Sequence, residues 1–224
     1  MARGRLVVLE GAEGVGKSTQ LAALADWLRE RGHPVVVVRE PGGTPLGEAI
    51  RALLLDPAGH VEPRAEALLF MASRAQLVAT VILPALERGE TVLADRFFLS
   101  TYAYQIGARG LPEEEVREAN ALATGGLVPD LTVLLTLPPG EGLARARERG
   151  AADRMEEAGS PFHERVERAF ASFADAAWQR AHPECGPVVT VRGTGSVEEV
   201  RARIVRELEA RWPETFAAGV ESHT

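Results

Sequence analysis

The chain has 224 residues, 46% of them hydrophobic and 25% charged, which suits one globular domain with a sizeable core and is short for two. Its formal net charge of −7 does not attract polyanions, so nucleic-acid or membrane-surface binding would need a basic patch working against that field; neither partner is expected. The lone cysteine, Cys185, rules out an intramolecular disulfide and makes a cysteine-based zinc site a poor fit, and the five histidines show no ligand spacing.

From the N-terminus, a basic start leads into an apolar run that stops at Glu10. That run is too short for a signal core, and no uninterrupted apolar run reaches the ~18 residues of a spanning helix, so a cytoplasmic protein is expected. Five short β-branched runs follow one another at 6–9, 35–38, 91–94, 131–137 and 187–191. Each is almost wholly apolar with little alternation, the pattern of strands buried on both faces of a parallel sheet. Helical patterns separate them, at 17–31, 45–55, 62–88, 112–124, 161–181 and 196–211. Alternating strand and helix predicts a three-layer α/β/α fold with right-handed crossovers around a five-stranded parallel sheet. Ligand sites in such sheets lie at the carboxyl ends of the strands. The segment 140–160 is dense in Arg, Glu, Ala and Gly and poor in large apolar residues, the composition of a small helical flap. The domain is expected to span 1–212, with a frayed tail over 213–224.

The strongest local signal is Gly11-Ala12-Glu13-Gly14-Val15-Gly16-Lys17-Ser18, which fits G-x-x-x-x-G-K-[ST] between an apolar strand and a helix. Its glycines let backbone N–H groups turn inward around nucleotide phosphates, and the helix N-terminus adds partial positive charge. Lys17 is placed to reach the β and γ oxygens of the nucleotide, and the Ser18 hydroxyl to ligate Mg²⁺. The motif specifies a nucleoside triphosphate, not the reaction. Of the 25 basic residues only Lys17 is a lysine, so the N-K-x-D element of guanine-specific switch proteins is absent. A compact chain with a second polar pocket reads as a small-molecule kinase. Asp95-Arg96 ends the third strand, where Asp95 can hold a Mg²⁺ shell through water and Arg96 can fork onto an acceptor phosphate. A kinase for another nucleotide or nucleoside, and a non-enzymatic ATP-bound regulator, are the alternatives.

The run Val92 to Gln105, with Asp95-Arg96-Phe97, Ser100 and Ala103-Tyr104-Gln105, resembles the signature of the thymidylate kinase family. The resemblance extends over Arg39-Glu40-Pro41-Gly42-Gly43-Thr44, Glu66 to Arg74, Gly107-Ala108-Arg109-Gly110, Pro129-Asp130-Leu131-Thr132 and Asp153-Arg154-Met155-Glu156. It implies a P-loop kinase that uses ATP and Mg²⁺ to phosphorylate dTMP, built as a homodimer, although no interface stripe stands out in the sequence. It implies that Phe70 stacks on the pyrimidine while Arg74, four residues on and therefore on the same helix face, donates to base O4. Thr101 and Gln105 would complete the polar edge of the base, and Tyr104 would lie under the sugar and exclude a ribose 2′-hydroxyl. Arg51 and Arg39 would join Arg96 on the acceptor phosphate. Some family members carry an arginine inside the phosphate loop; here Gly14 and Val15 stand there, so the catalytic cation is expected from the flap, with Arg149 first and Arg154 second. Phe97, Thr136 and Phe170 depart from the usual tyrosine or histidine, aspartate and tyrosine.

Overall fold

The computed structural model describes residues 3–138, 140–147, 154–155 and 159–216. Five parallel strands, β1 (Leu6–Glu10), β2 (Val35–Arg39), β3 (Thr91–Asp95), β4 (Leu131–Thr136) and β5 (Val188–Arg192), form one sheet in the order β2-β3-β1-β4-β5. Each lies within a residue or two of its expected position. β1, β3 and β4 are buried nearly throughout, whereas the flanking strands β2 and β5 are only partly covered. Burial on both faces therefore holds for the central strands and fails at the two edges, each of which has a neighbour on one side only.

Helices cover both faces. On one side α1 (Lys17–Glu30) and α10 (Val197–Arg211) pack on Val7, Leu9, Leu93 and Val133. On the other, Leu6, Val8, Val92 and Ala94 meet the helices that carry Leu77, Leu99, Tyr104 and Phe170. α2 (Pro45–Leu55) starts at Thr44, whose side chain accepts from Gly47 N as an N-cap. α3 (Pro63–Leu77) runs through a wide π-helical turn, Val78–Ile82, into α4 (Leu83–Glu87). By length and mean hydropathy, 1.6, the continuous stretch Pro63–Glu87 would suffice to cross a membrane, which the count of uninterrupted apolar residues did not anticipate. Glu66, Ser73 and Arg74 are nonetheless buried within the protein along it.

The element that sequence periodicity missed follows β3. A helical turn, α5 (Phe98–Thr101), opens into π-helical turns over Tyr102–Ala108. Every residue from Phe97 to Gln105 is buried, so no polar face marks its period. Widened turns of this kind recur at functional sites because they displace side chains from the α-helical rows. α6 (Glu113–Thr124) and a short α7 (Glu141–Arg147) follow. The helix expected over 161–181 is two: α8 (Ser160–Ser172) ends at Phe173, and Asp175 caps α9 (Ala176–Ala181) by accepting from Ala177 N and Trp178 N. Residues 213–216, expected as part of a frayed tail, form α11 (Pro213–Phe216) instead. Phe216 is buried and packs edge-on against His33 and Trp212, which ties this turn to the α1 and α10 layer. Residues 217–224 lie outside the described residues.

Candidate active site

The carboxyl ends of β1, β2 and β3 open into a cavity of about 310 Å³. On its donor side the Gly11–Ser18 loop turns from β1 into α1 through left-handed glycines. Gly14 has a further constraint. A Cβ there would fall 1.8 Å from the carbonyl oxygen of Gly142, and a Cβ on Gly142 would fall 2.3 Å from the carbonyl oxygen of Glu13. The loop and the start of α7 thus meet backbone to backbone.

Lys17 is buried and donates to the carbonyl oxygens of Gly11 and Ala12, both at 2.9 Å. Burial, reinforced by the nearby Arg96 charge, pulls its pKa down to about 7 against the opposing pull of Asp95, Glu10 and Glu13. The Ser18 hydroxyl donates to Asp95 Oδ2 at 2.6 Å. A hydroxyl beside a carboxylate is a hard-oxygen pair and fits Mg²⁺. Among the described residues no group of three metal-ligating side chains is assembled, so an ion there would draw its remaining ligands from phosphate and water.

Arg96 stands between the donor and acceptor sides. Its backbone is left-handed, φ 72°, a strained region for a side-chain-bearing residue, worth of order 1–3 kcal/mol. The neighbours that hold it there are visible: Arg96 N donates to Leu9 O at 3.0 Å, and the buried Glu10 carboxylate accepts from Phe97 N, Ser100 N and the Ser100 hydroxyl at 2.7, 3.0 and 2.6 Å. Its guanidinium donates to Ser100 Oγ at 2.9 Å and Tyr104 OH at 3.3 Å and lies 3.9 Å from Glu13. Burial opposes this charge, but Tyr104, Glu13, Asp95 and Glu10 outweigh it and hold the Arg96 pKa above its usual value. Tyr104 OH in turn donates to Glu13 Oε1 at 3.1 Å, while Glu13 Oε2 is buried with no partner among the described residues.

The acceptor side rests on α3 and the π-helical turns. Phe70 and Arg74 both line the cavity, Phe70 half-buried and Arg74 only 2% exposed. The Arg74 fork is fully occupied. Nε donates to Glu40 at 2.7 Å, Nη1 to Thr101 Oγ1 at 2.9 Å and to Asn120 Oδ1, and Nη2 to Phe97 O at 2.9 Å, with Glu40 again 2.5 Å away. Burial raises the Glu40 pKa despite the opposing pull of Arg74. Thr101, Tyr104 and Gln105 share this wall. Arg39 and Arg51 also line the cavity; Arg39 pairs with Glu48 at 3.0 Å and Arg51 donates to Pro41 O at 3.0 Å.

The structure therefore gathers Glu13, Gly14, Gly16, Lys17, Ser18, Arg39, Arg51, Phe70, Arg74, Asp95, Arg96, Thr101, Tyr104 and Gln105 around one space. Gly11, Ala12 and Val15 shape the loop without lining it. Arg154 is elsewhere, bonded to Glu66 and to Leu54 O. Arg149 lies outside the described residues. Sequence reasoning assigned no role to Glu10, Glu40, Glu66, Ser100 or Asn120. Glu10 and Glu40 did carry a signal, an acid closing or following an apolar strand. Of the three departures, Phe97 lies fully buried under the Arg74 guanidinium, 5.0 Å from its ring centre, and Phe170 packs edge-on against Tyr104. Thr136 ends β4, where its carbonyl accepts from Gly193 N at 2.8 Å.

The family model described as Thymidylate kinase matches residues 9–204. The chain belongs to the thymidylate kinase family. A thymidylate kinase of Deinococcus radiodurans is 55% identical over 180 residues, covering 80% of this chain and 87% of that protein. One of Clavibacter sepedonicus is 47% identical over 222 residues, covering 98% and 99%. The crystal structure of thymidylate kinase from Ehrlichia chaffeensis superposes with a TM-score of 0.70 at 28% identity, over 92% of this chain and 99% of that one. Family membership makes the fold a P-loop kinase fold and accounts for a phosphate loop opening on the cavity.

Proposed function

We propose that this chain is the kinase that transfers the γ-phosphate of ATP to dTMP, with Mg²⁺ as cofactor. The observation that supports the reading is the continuity of the cavity from Lys17, Ser18 and Asp95 to Phe70, Arg74 and Gln105, so that the residues expected to meet phosphates and those expected to meet a base line one space. Such transfer asks for in-line positioning and charge neutralisation rather than covalent help. Lys17 exchanges its loop carbonyls for β and γ oxygens. Ser18 and Asp95 would hold the metal, Asp95 through water, and the ion would supply positive charge to the phosphates. Arg96 clamps the acceptor phosphate, with Arg51 and Arg39 beside it. That phosphate is anionic and attacks directly, so no general base is needed.

Phe70 stacks on the base. Arg74 meets O4 with the Nη1 proton now shared with Thr101, because a hydroxyl can turn to another partner while Glu40 and Asn120 hold the remainder of the fork. Tyr104 fills the space beneath the sugar, and the unpartnered Glu13 Oε2 accepts from a sugar hydroxyl. Arg149 supplies the transition-state cation from the flap. A coupled ADP-release assay across the common nucleoside monophosphates tests the reading. dTMP is expected to be the best acceptor, and dUMP weaker by the ~1–3 kcal/mol that one methyl contact is worth. dCMP, which presents an amino group to Arg74, is expected to be poorer still. Equal turnover of dCMP and dTMP would remove base reading by Arg74, and preference for UMP over dUMP would remove the Tyr104 argument.

A homodimer belongs to the same proposal. α2 packs on α3 and α3 on α6, and each of these helices carries exposed leucine: Leu46 and Leu53 at 50% and 60%, Leu68 at 63% and Leu122 at 85%. Apolar exposure on three adjoining helices supports association through them. The 24.1 kDa chain is expected to sediment at twice its mass, and Leu68→Asp with Leu122→Asp to sediment as a monomer. A wild-type monomer at micromolar concentration would sink this part.

A further inference from the structure

Glu66 lies on α3 with no exposed surface. Its two oxygens collect four N–H donors from three side chains. Oε1 accepts from Gln105 Nε2 at 3.0 Å and Arg109 Nε at 3.1 Å; Oε2 accepts from Arg109 Nη2 and Arg154 Nη2, each at 2.9 Å. Paired with two guanidinium groups, this carboxylate is an acceptor at every contact. The side-chain amide of Gln105 has one donating end and one accepting end. Since one N–H of the Gln105 NH₂ is held by Glu66, the donating end is turned to Glu66 and the carbonyl oxygen is the end left for the cavity that Gln105 lines.

We infer that Glu66 is a positioning residue that fixes the sense of the Gln105 amide and thereby decides which base edge the pocket accepts. The inference rests on the dTMP kinase reading above. A ring nitrogen bearing hydrogen, as N3 of thymine and uracil does, matches an acceptor on the wall. The bare N3 of cytosine does not, and leaves two acceptors facing each other. Base selection then has a second determinant besides Arg74, set by a residue that never touches the base. The same carboxylate gives Arg154 a different task from the one its sequence position implied. Arg154 Nε donates to Leu54 O at 2.8 Å and its backbone N–H to Leu55 O at 3.3 Å, so Arg154 is a strut joining the end of α2 to Glu66. It seats the adjoining Met155, which lines the cavity.

Glu66→Gln tests this with a defined direction. Two arginine nitrogens face the Oε2 position and only one, Arg109 Nε, faces Oε1, so the new carbonyl oxygen goes to the Oε2 position and the new NH₂ faces Gln105, with Arg109 Nε losing its acceptor. Gln105 then turns its own carbonyl to accept and presents NH₂ to the base. The ratio of kcat/KM for dTMP to that for dCMP is expected to fall at least about tenfold. The change should lie in KM, higher for dTMP and lower for dCMP, with kcat for dTMP little altered. Gln105→Met should lower the ratio as well, and adding Glu66→Gln to it should change the ratio no further. A folded Glu66→Gln protein with the wild-type ratio, or effects of the two substitutions that simply add, would overturn the inference. Should Glu66→Gln not fold, the wild-type protein still decides. The ¹⁵N side-chain amide of Gln105, assigned by its loss in Gln105→Met, is expected to exchange with solvent far more slowly than an exposed glutamine amide; exchange at the exposed rate would overturn the inference. Failure of the wild-type enzyme to phosphorylate dTMP would sink the kinase reading instead, and the amide measurement does not depend on turnover.

Discussion

Amine-selective acylation of this protein is expected to abolish phosphoryl transfer in proportion to modification of one residue. Lys17 is the single lysine, so the ε-amino group competes only with the α-amino terminus. Burial and Arg96 bring Lys17 to about 7, so near neutral pH much of it is unprotonated and nucleophilic, despite its low exposure. Acylation removes the charge meant for the β and γ phosphates and adds bulk where Lys17 is enclosed by the Gly11 and Ala12 carbonyls. Loss of a charge clamp in related chemistry is worth roughly 10³-fold or more in rate. Mg-ATP should protect and dTMP alone far less, with peptide mass mapping separating the two labels. Full activity at complete Lys17 acylation would break the link between the loop and the chemistry. The lowered pKa adds a proton signature. Bound polyphosphate favours ammonium, so binding above pH 7 must take up a proton at Lys17. Calorimetry of Mg-ATP binding at pH 8, in buffers of different ionisation enthalpy, should show that uptake and should show less of it at pH 6.

Replacing Arg74 with Met is expected to cost about 3–5 kcal/mol of folding stability, because it strands Glu40 as a buried carboxylate. Glu40 is 5% exposed, one of its oxygens already has no partner among the described residues, and burial already raises its pKa. The sign of the pH dependence follows. An acid whose folded pKa is raised binds more protons folded than unfolded, so its contribution to stability falls as pH rises through that window. The Arg74→Met protein, with the opposing pull of Arg74 removed, should therefore melt at higher temperature at pH 5 than at pH 8. Combining Arg74→Met with Glu40→Leu should recover much of the stability, since removing both charges removes the desolvation cost, yet recover no dTMP turnover. A single Arg74→Met variant that melts like wild type would show that the pair contributes little to stability.

The central strands were legible because a strand covered on both faces must be apolar at nearly every position, and 6–9, 91–94 and 131–137 read that way. The edge strands read the same, and their partial exposure could not be seen, since four consecutive valines at 35–38 look identical inside and at a rim. The helix carrying Thr101, Tyr104 and Gln105 was invisible for the opposite reason: surrounded by protein, it has no polar face to set a period. Its residues were found through family resemblance, not through pattern. The phosphate loop was legible because few side chains tolerate its backbone path, which constrains the sequence tightly. Glu66 and Asn120 were not legible because their partners stand 39 and 46 residues away in the chain, and only the packing of α3, the π-helical turns and α6 brings them together.

The backbone contact between Gly14 and Gly142 bears on how such enzymes diverge. An arginine at position 14 would drive its Cβ into the Gly142 carbonyl, and its φ of 71° already disfavours any side chain there. The cation inside the loop and a flap helix seated against the loop cannot coexist on this backbone. A lineage passing from the flap arrangement proposed here to the other must first lift the start of α7 away. Only then can it alter the loop. The reverse order passes through an intermediate with a distorted phosphate loop, so where the cation sits is inherited together with the path of a neighbouring helix.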